Sequence, residues 1–226
     1  MRNTDSSKYS VANLTEPRLI NKLYELILEE KKWGKHGWLR NVYKNKNLST
    51  KEFKDIWSEW WKGPLPPSTE VDIILIFEDP MQIIDKALIG SIEIEYFSSK
   101  DLNKKNFYVG LQQVLAFSIF GFDGLSLWHV FAAGIEENVI ENYATTASEL
   151  ISGFKLPIFY LAVKIQNKED FRLKCFEPTR VENTIDYYID WLNKYWIVET
   201  NRNPLLQRNE IRNRRNLLKT ILKVPV

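Results

Sequence analysis

Three acids stand where strand residues should be apolar. Asp72 follows Val71 at the head of V-D-I-I-L-I-F, and Glu93 and Glu95 flank Ile94 in A-L-I-G-S-I-E-I-E-Y-F. Residues two apart on a strand share a face, so Glu93 and Glu95 point one way and Ile92, Ile94 and Tyr96 the other. Two like charges on one face repel, and a third carboxylate nearby adds to the repulsion. A divalent cation relieves it, and hard oxygen donors suit Mg²⁺ or Mn²⁺. The plainer reading is a solvated sheet face that the glutamates keep wet.

These acids must be positioned by the elements around them. The stretch from Val71 to Phe97 reads as two neighbouring strands, an antiparallel pair with a longer loop, broken at Glu78-Asp79-Pro80. Before it, Thr15 suits a helix N-cap and Pro17 a first turn, with the helix running to about Lys32. Glu16 shares the stripe of Ile20, Leu23 and Ile27, whereas Glu25 falls on the polar side. Glu16 is therefore the acid that can face inward, although a first-turn Glu also simply favours the helix dipole. After the strands, a mostly apolar helix is expected from about Leu102 to Phe120, ending at Gly121 as C′. Gln112 and Gln113 interrupt it. A buried amide needs partners, and the acidic strand face is the nearest candidate.

The remainder alternates in the same way. Residues 33–48 read as loop or strand, and K-H-G-W-L-R-N-V-Y-K mixes basic and aromatic residues. A short helix follows Ser49 or Thr50, with Phe53, Ile56 and Trp60 on one face. Strands are expected over 122–133, 156–165 and 170–176, and helices over 136–152 and 181–197. Residues 207–223 form a basic helix carrying Arg208, Arg212, Arg214, Arg215, Lys219 and Lys223 against a side of Ile211, Leu218 and Leu222. It suits a phosphate backbone or a surface docked by its leucines. The expected fold class is α/β, a mixed central β-sheet flanked by helices on both faces. One domain spans 15–200, between a frayed N-terminus (1–14) and a basic helical extension (201–226).

Composition narrows the function classes. The chain has 226 residues, of which 31 are Lys or Arg and 29 Asp or Glu, so net charge gives no argument for nucleic acid. Cys175 is the sole cysteine and His36 and His129 the only histidines, which excludes a disulfide framework and cysteine or histidine-rich metal sites. Any metal must be held mainly by oxygen. No apolar run reaches membrane-spanning length and the N-terminus lacks a signal-type apolar segment, so a soluble, intracellular, cytoplasmic protein is expected.

With Asp72, Glu93-Ile94-Glu95 and Gln113 in this order, residues 15–132 resemble the PD-(D/E)XK nuclease superfamily. Val71-Asp72 stands where that family has Pro-Asp, and Glu93-Ile94-Glu95 where it has (D/E)-x-K. Gln113-x-x-x-Phe117 is similar to the Q-x-x-x-Y helix motif of the RecB-like branch, with Glu16 as the first-helix acid. The run G-L-Q-Q-V-L-A-F-S-I-F-G-F-D is also similar to small nuclease-like proteins of hyperthermophilic archaea and their viruses. The departure is Glu95 in the place of the lysine that positions the attacking water. Some restriction endonucleases of the superfamily carry E-x-E, and Lys104 or Lys105 is placed to reach back.

The resemblance implies a restriction-endonuclease-like core, a homodimer, and Mg²⁺- or Mn²⁺-dependent hydrolysis of DNA. Asp72, Glu93 and the Ile94 carbonyl would hold metal, while Glu16, Glu95 and Gln113 would complete the catalytic set. Lys35, Arg40, Lys44, Lys104, Lys105, Arg212 and Arg215 would contact DNA. Two rivals stand beside it. One is a nuclease-like fold that binds nucleic acid without cutting. The other is a structural or assembly protein contacting partners through its aromatics and basic C-terminal helix.

Overall fold

Among the described residues, seven strands form one sheet whose spatial order follows the chain: β1 (Leu39–Asn47), β2 (Glu70–Glu78), β3 (Ala87–Phe97), β4 (Gly124–Phe131), β5 (Ile158–Ile165), β6 (Leu173–Glu177) and β7 (Val181–Asn183). The structure is a computed structural model describing residues 14–32, 38–60, 70–79, 87–98, 104–166 and 171–224, with only the backbone described over 56–60 and 104–107. β2 pairs antiparallel with both β1 and β3, β3, β4 and β5 run parallel, and β6 pairs antiparallel with both β5 and β7. The sheet is thus mixed, with the expected antiparallel pair at β2 and β3. Every residue of β3 and of β4 is buried, which is why their sequences are nearly continuous in apolar residues.

The two parallel steps are bridged by α3 (Lys104–Phe120) and α4 (Glu137–Gly153). Such crossovers share one hand, so successive steps in one direction place both helices on one face. Their buried residues, among them Phe117, Phe120, Ala144 and Ala147, do join a single core with Phe53 of α2 (Lys51–Trp60) and Leu218 of α6 (Asn209–Ile221). The opposite face is covered by α1 (Glu16–Lys32) and α5 (Ile185–Ile197), packed on Ile73, Leu75, Ile92, Ile94, Trp128 and Leu161. Trp196 of α5 lies so close to the sheet that a Cβ on Gly90 would come within 2.1 Å of its ring, and one on Gly124 within 2.4 Å.

Two expectations change. The helix expected over 181–197 begins only at Ile185, because Val181–Asn183 pairs with Leu173, Lys174 and Cys175 as an edge strand. The C-terminal segment is not an appended basic helix. Of the two readings of this helix, docking by its leucines is the one seen, with Leu218 and Leu222, and Val224 after them, buried in the core. Several of its cations turn inward with them: Arg214 is 1% exposed and Lys219 8%. Arg214 donates from Nη1 to the Ile119 carbonyl at 2.9 Å, and Asn203 donates from Nδ2 to the carbonyls of Ser118 (2.7 Å) and Phe122 (2.9 Å). The carbonyls at the end of α3 are therefore satisfied by residues more than 80 positions away, where Gly121 takes the left-handed conformation (φ 92°) expected of a C′ residue. No helix among the described residues is long and apolar enough to cross a membrane.

Candidate functional site

The ladder between β2 and β3 runs from Glu78↔Ala87 to Ile73↔Ile92 and stops there. Beyond that rung the strands separate, and the amides of Ile94 and Tyr96 face a gap without a strand opposite. Acid side chains fill it. Asp72 Oδ2 accepts from the Ile94 N–H at 2.8 Å, and Glu16 Oε2, from the first turn of α1, accepts from the Tyr96 N–H at 3.2 Å. Buried amides need acceptors, and here two carboxylates do what β2 would have done. Glu16 faces inward as its stripe predicted, and Glu25 is exposed.

Glu93 and Glu95 project toward α3. Glu93 is 5% exposed and Glu95 7%. α3 makes room for Glu95 at Gly110, where a Cβ would stand 2.7 Å from Glu95 Cγ and 2.9 Å from its Oε1. Among the described residues the buried Oε2 of Glu93 has no hydrogen-bond partner. Such an atom carries a desolvation penalty that an ionised carboxylate cannot sustain. None of Glu16, Asp72, Glu93 and Glu95 is ion-paired with a Lys or Arg among the described residues.

Burial and mutual repulsion raise the pKa of all four carboxyls. Burial pushes Glu95 up to about 8, helped by repulsion from Glu16 and Asp72. Burial also raises Glu93 strongly, with Asp72, Glu95, Glu16 and Glu70 adding repulsion. Asp72 is raised by burial, lowered in part by its bond from Ile94, and raised again by Glu16 and Glu70. Glu16 is raised by burial against the opposing bond from Tyr96. Acids perturbed together by burial and by one another mark a candidate site.

Other singled-out residues lie elsewhere. Gln112 is exposed, and Gln113 is half-buried with no hydrogen bond to the carboxylates among the described residues. The expectation that a glutamine amide meets the acidic face is thus not realised: the face of α3 that meets it is Gly110. Lys104 and Lys105 open α3 at this same end, about 9 Å of helix before Gly110 by the usual rise; their side chains and Lys35 lie outside the described residues. Lys44, on β1, donates to Asn21 Oδ1 and sits 4.9 Å from the ring centroid of Tyr24. Arg40 is at the far end of β1, paired with Glu78. Arg212 is exposed on α6. Arg215 corrects the expectation of a free phosphate contact: it is held against buried Asp123 at 2.6 and 3.0 Å and donates to the Ala87 carbonyl at 2.7 Å. A guanidinium that neutralises a buried carboxylate cannot leave without stranding it.

The structure also adds residues. Glu70 repels Asp72 and Glu93, and its place two before Asp72 on one strand was the available signal. His129 pairs in register with Glu95 across β3 and β4. Burial pushes its pKa down to about 3, so its ring, bonded through Nδ1 to Tyr160 Oη at 2.8 Å, adds no positive charge.

The donor set fits a hard divalent ion in chemistry and charge: all oxygen, several carboxylates, no thiol. Its present orientation does not gather them. Among the described residues no three His, Cys, Asp or Glu side chains stand together as a metal-binding group, since Asp72 and Glu16 are turned to backbone amides. No family model matches the chain, no curated protein is significantly similar to it, and no solved structure matches it.

Proposed function

We propose that the chain is a metal-dependent DNA nuclease of the PD-(D/E)XK type, with its reaction centre at Asp72, Glu93 and Glu95. The observation that carries this reading is a cluster of buried and half-buried carboxylates with no paired cation among the described residues, and with one oxygen of Glu93 that has no hydrogen-bond partner among them. Burying such a cluster is unfavourable unless something compensates it. Asp72, Glu93 and the Ile94 carbonyl would hold Mg²⁺ or Mn²⁺. When bound, such an ion makes its water easier to deprotonate and neutralises developing charge on a phosphodiester. Glu95, once metal binding has displaced its own proton, would accept the proton of the attacking water. Gly110 keeps α3 off that carboxylate. Lys44 supplies positive charge on the adjoining edge strand for a DNA backbone, and a two-fold dimer would address both strands.

Glu95 in the lysine position favours a second reading, a nuclease-like fold that binds DNA and does not cut it. One experiment separates them: cleavage of labelled duplex, single-stranded and branched DNA with Mg²⁺ or Mn²⁺, beside Asp72→Ala and Glu93→Ala. Metal-dependent products are expected, lost in both variants by more than the 10–100-fold or so that merely supporting residues cost. DNA binding with no cleavage by the wild type leaves the second reading. Neither cleavage nor binding removes nucleic acid from consideration and leaves a structural or assembly role.

A further inference from the structure

A cavity lies at the end of the sheet opposite the carboxylates, where β2 ends and β3 and β4 begin. Eight residues of strand separate Ala87 from Glu95, about 26 Å at the usual rise. The cavity has a volume of about 310 Å³, and Asp79, Asp123, Arg202, Arg212, Arg215 and Asn216 are among its lining residues.

Its floor is two buried ion pairs. Asp79 is 1% exposed and Asp123 4%. Arg202 Nη2 meets Asp79 Oδ2 at 2.6 Å and donates to the Ile197 carbonyl at 2.9 Å, while its Nε donates to the Trp196 carbonyl at 2.8 Å. Arg215 forks onto both oxygens of Asp123 and also reaches the Ala87 carbonyl. Both guanidiniums are thus fixed in position before any ligand arrives, so little side-chain freedom remains to be lost on binding. The rim is different. Arg212 is exposed, bonds only to the Asn209 amide oxygen, and pairs with no carboxylate among the described residues. Asn216 stands beside it with an amide able to donate. Three guanidiniums against two carboxylates leave one positive charge in excess, at the open side.

We propose that this cavity binds a phosphate-type oxyanion, received by Arg212 and Asn216 at the rim above the two fixed ion pairs. Planar guanidiniums match the oxygens of phosphate in paired hydrogen bonds. The volume exceeds that of one phosphate group and accommodates a phosphate ester or a pyrophosphate. The ligand could be a free phosphorylated compound or one phosphate of a nucleic-acid strand. The proposal does not rest on the nuclease reading, because none of these residues belongs to the carboxylate site.

The test is calorimetric titration with pyrophosphate in EDTA, which removes any metal from the carboxylate end. Wild type is compared with Arg212→Ala, Arg212→Glu and Arg172→Ala, the last a control that removes one exposed charge on the far side. Saturable binding is expected in wild type and Arg172→Ala, about tenfold weaker in Arg212→Ala, and absent in Arg212→Glu, all with unchanged circular dichroism. A short duplex then distinguishes the sources: displacement of pyrophosphate by the duplex identifies a nucleic-acid phosphate, and no displacement a free compound. No saturable binding by the wild type, or equal weakening by Arg172→Ala and Arg212→Ala, overturns the site. Cleavage activity plays no part in the readout, so this proposal and the nuclease reading fail separately.

Discussion

Asp72 Oδ2 accepts the backbone N–H of Ile94 at 2.8 Å, in the position where the next rung of the β2–β3 ladder would lie. The strand pair therefore ends on a carboxylate, and Glu16 repeats the arrangement one step further along, at Tyr96. A cation that recruits these acids must compete with two backbone amides.

Adding Mn²⁺ or Mg²⁺ is accordingly expected to loosen those amides. Hydrogen exchange at Ile94 and Tyr96 should speed up on metal addition while the rest of β3 stays protected. Unchanged exchange at both amides, with metal demonstrably bound, would mean that Asp72 and Glu16 are not recruited.

The pH dependence has a definite sign. Glu95 goes from an ordinary value of 4.5 to about 8 in the folded chain, so the folded state holds a proton that the unfolded state releases. The associated stability is full below pH 4.5 and is lost as pH rises toward 8. Without metal, Glu95→Gln should match the wild type at pH 4 and unfold at a higher temperature at pH 9. Metal affinity of the wild type should rise over the same interval, because binding displaces the proton. Thermal denaturation and calorimetry across pH 4–9 check both.

Gly110 makes a steric prediction. Alanine usually gains up to about 1 kcal/mol over glycine inside a helix. At Gly110 the added Cβ would stand 2.7 Å from Glu95 Cγ and 3.0 Å from Leu127 Cδ1, a crowding that typically costs about 1–3 kcal/mol. Gly153, in the last turn of α4, has nothing within 4 Å. Gly110→Ala should therefore lower stability and cleavage rate, and Gly153→Ala should do neither, by urea denaturation and the cleavage assay.

Asn203 is 3% exposed and satisfies one carbonyl in the last turn of α3 and one just beyond it while its Oδ1 accepts from the Leu205 N–H at 3.0 Å. Asn203→Ala leaves those buried groups without partners, at about 1–3 kcal/mol for each unsatisfied group. A loss of several kcal/mol in urea denaturation is expected, larger than for Arg212→Ala on the exposed side of α6.

Local periodicity carried much of this architecture into the sequence. The antiparallel pair around the acids, the inward Glu16 and the end of α3 at Gly121 follow from spacing alone. Val181–Asn183 did not, because three residues are too few for a period and only β6 beside them decides their state. The arginines of α6 were the hardest to read: Arg212 and Arg215 are chemically alike, and only the distant Asp123 separates a solvated charge from a buried one. Gly110 was likewise visible as a residue, but its importance arises from α3 crossing Glu95. Glu70 was readable beside Asp72 on one strand, whereas its repulsion of Glu93 depends on β2 lying beside β3.

The grip of the C-terminal segment on α3 also bears on how the chain reaches its native state. Asn203 and Ser118 are 85 positions apart, Arg215 and Asp123 92, and Arg215 and Ala87 128. Contacts of such long sequence range must close large loops before they return any stabilisation, which slows folding. The middle of the sheet can collapse early, yet the end of α3 keeps bare carbonyls until residues beyond 200 arrive. The rate-limiting barrier is then expected to lie at the docking of α6, and slowed refolding of Asn203→Ala would be its kinetic signature.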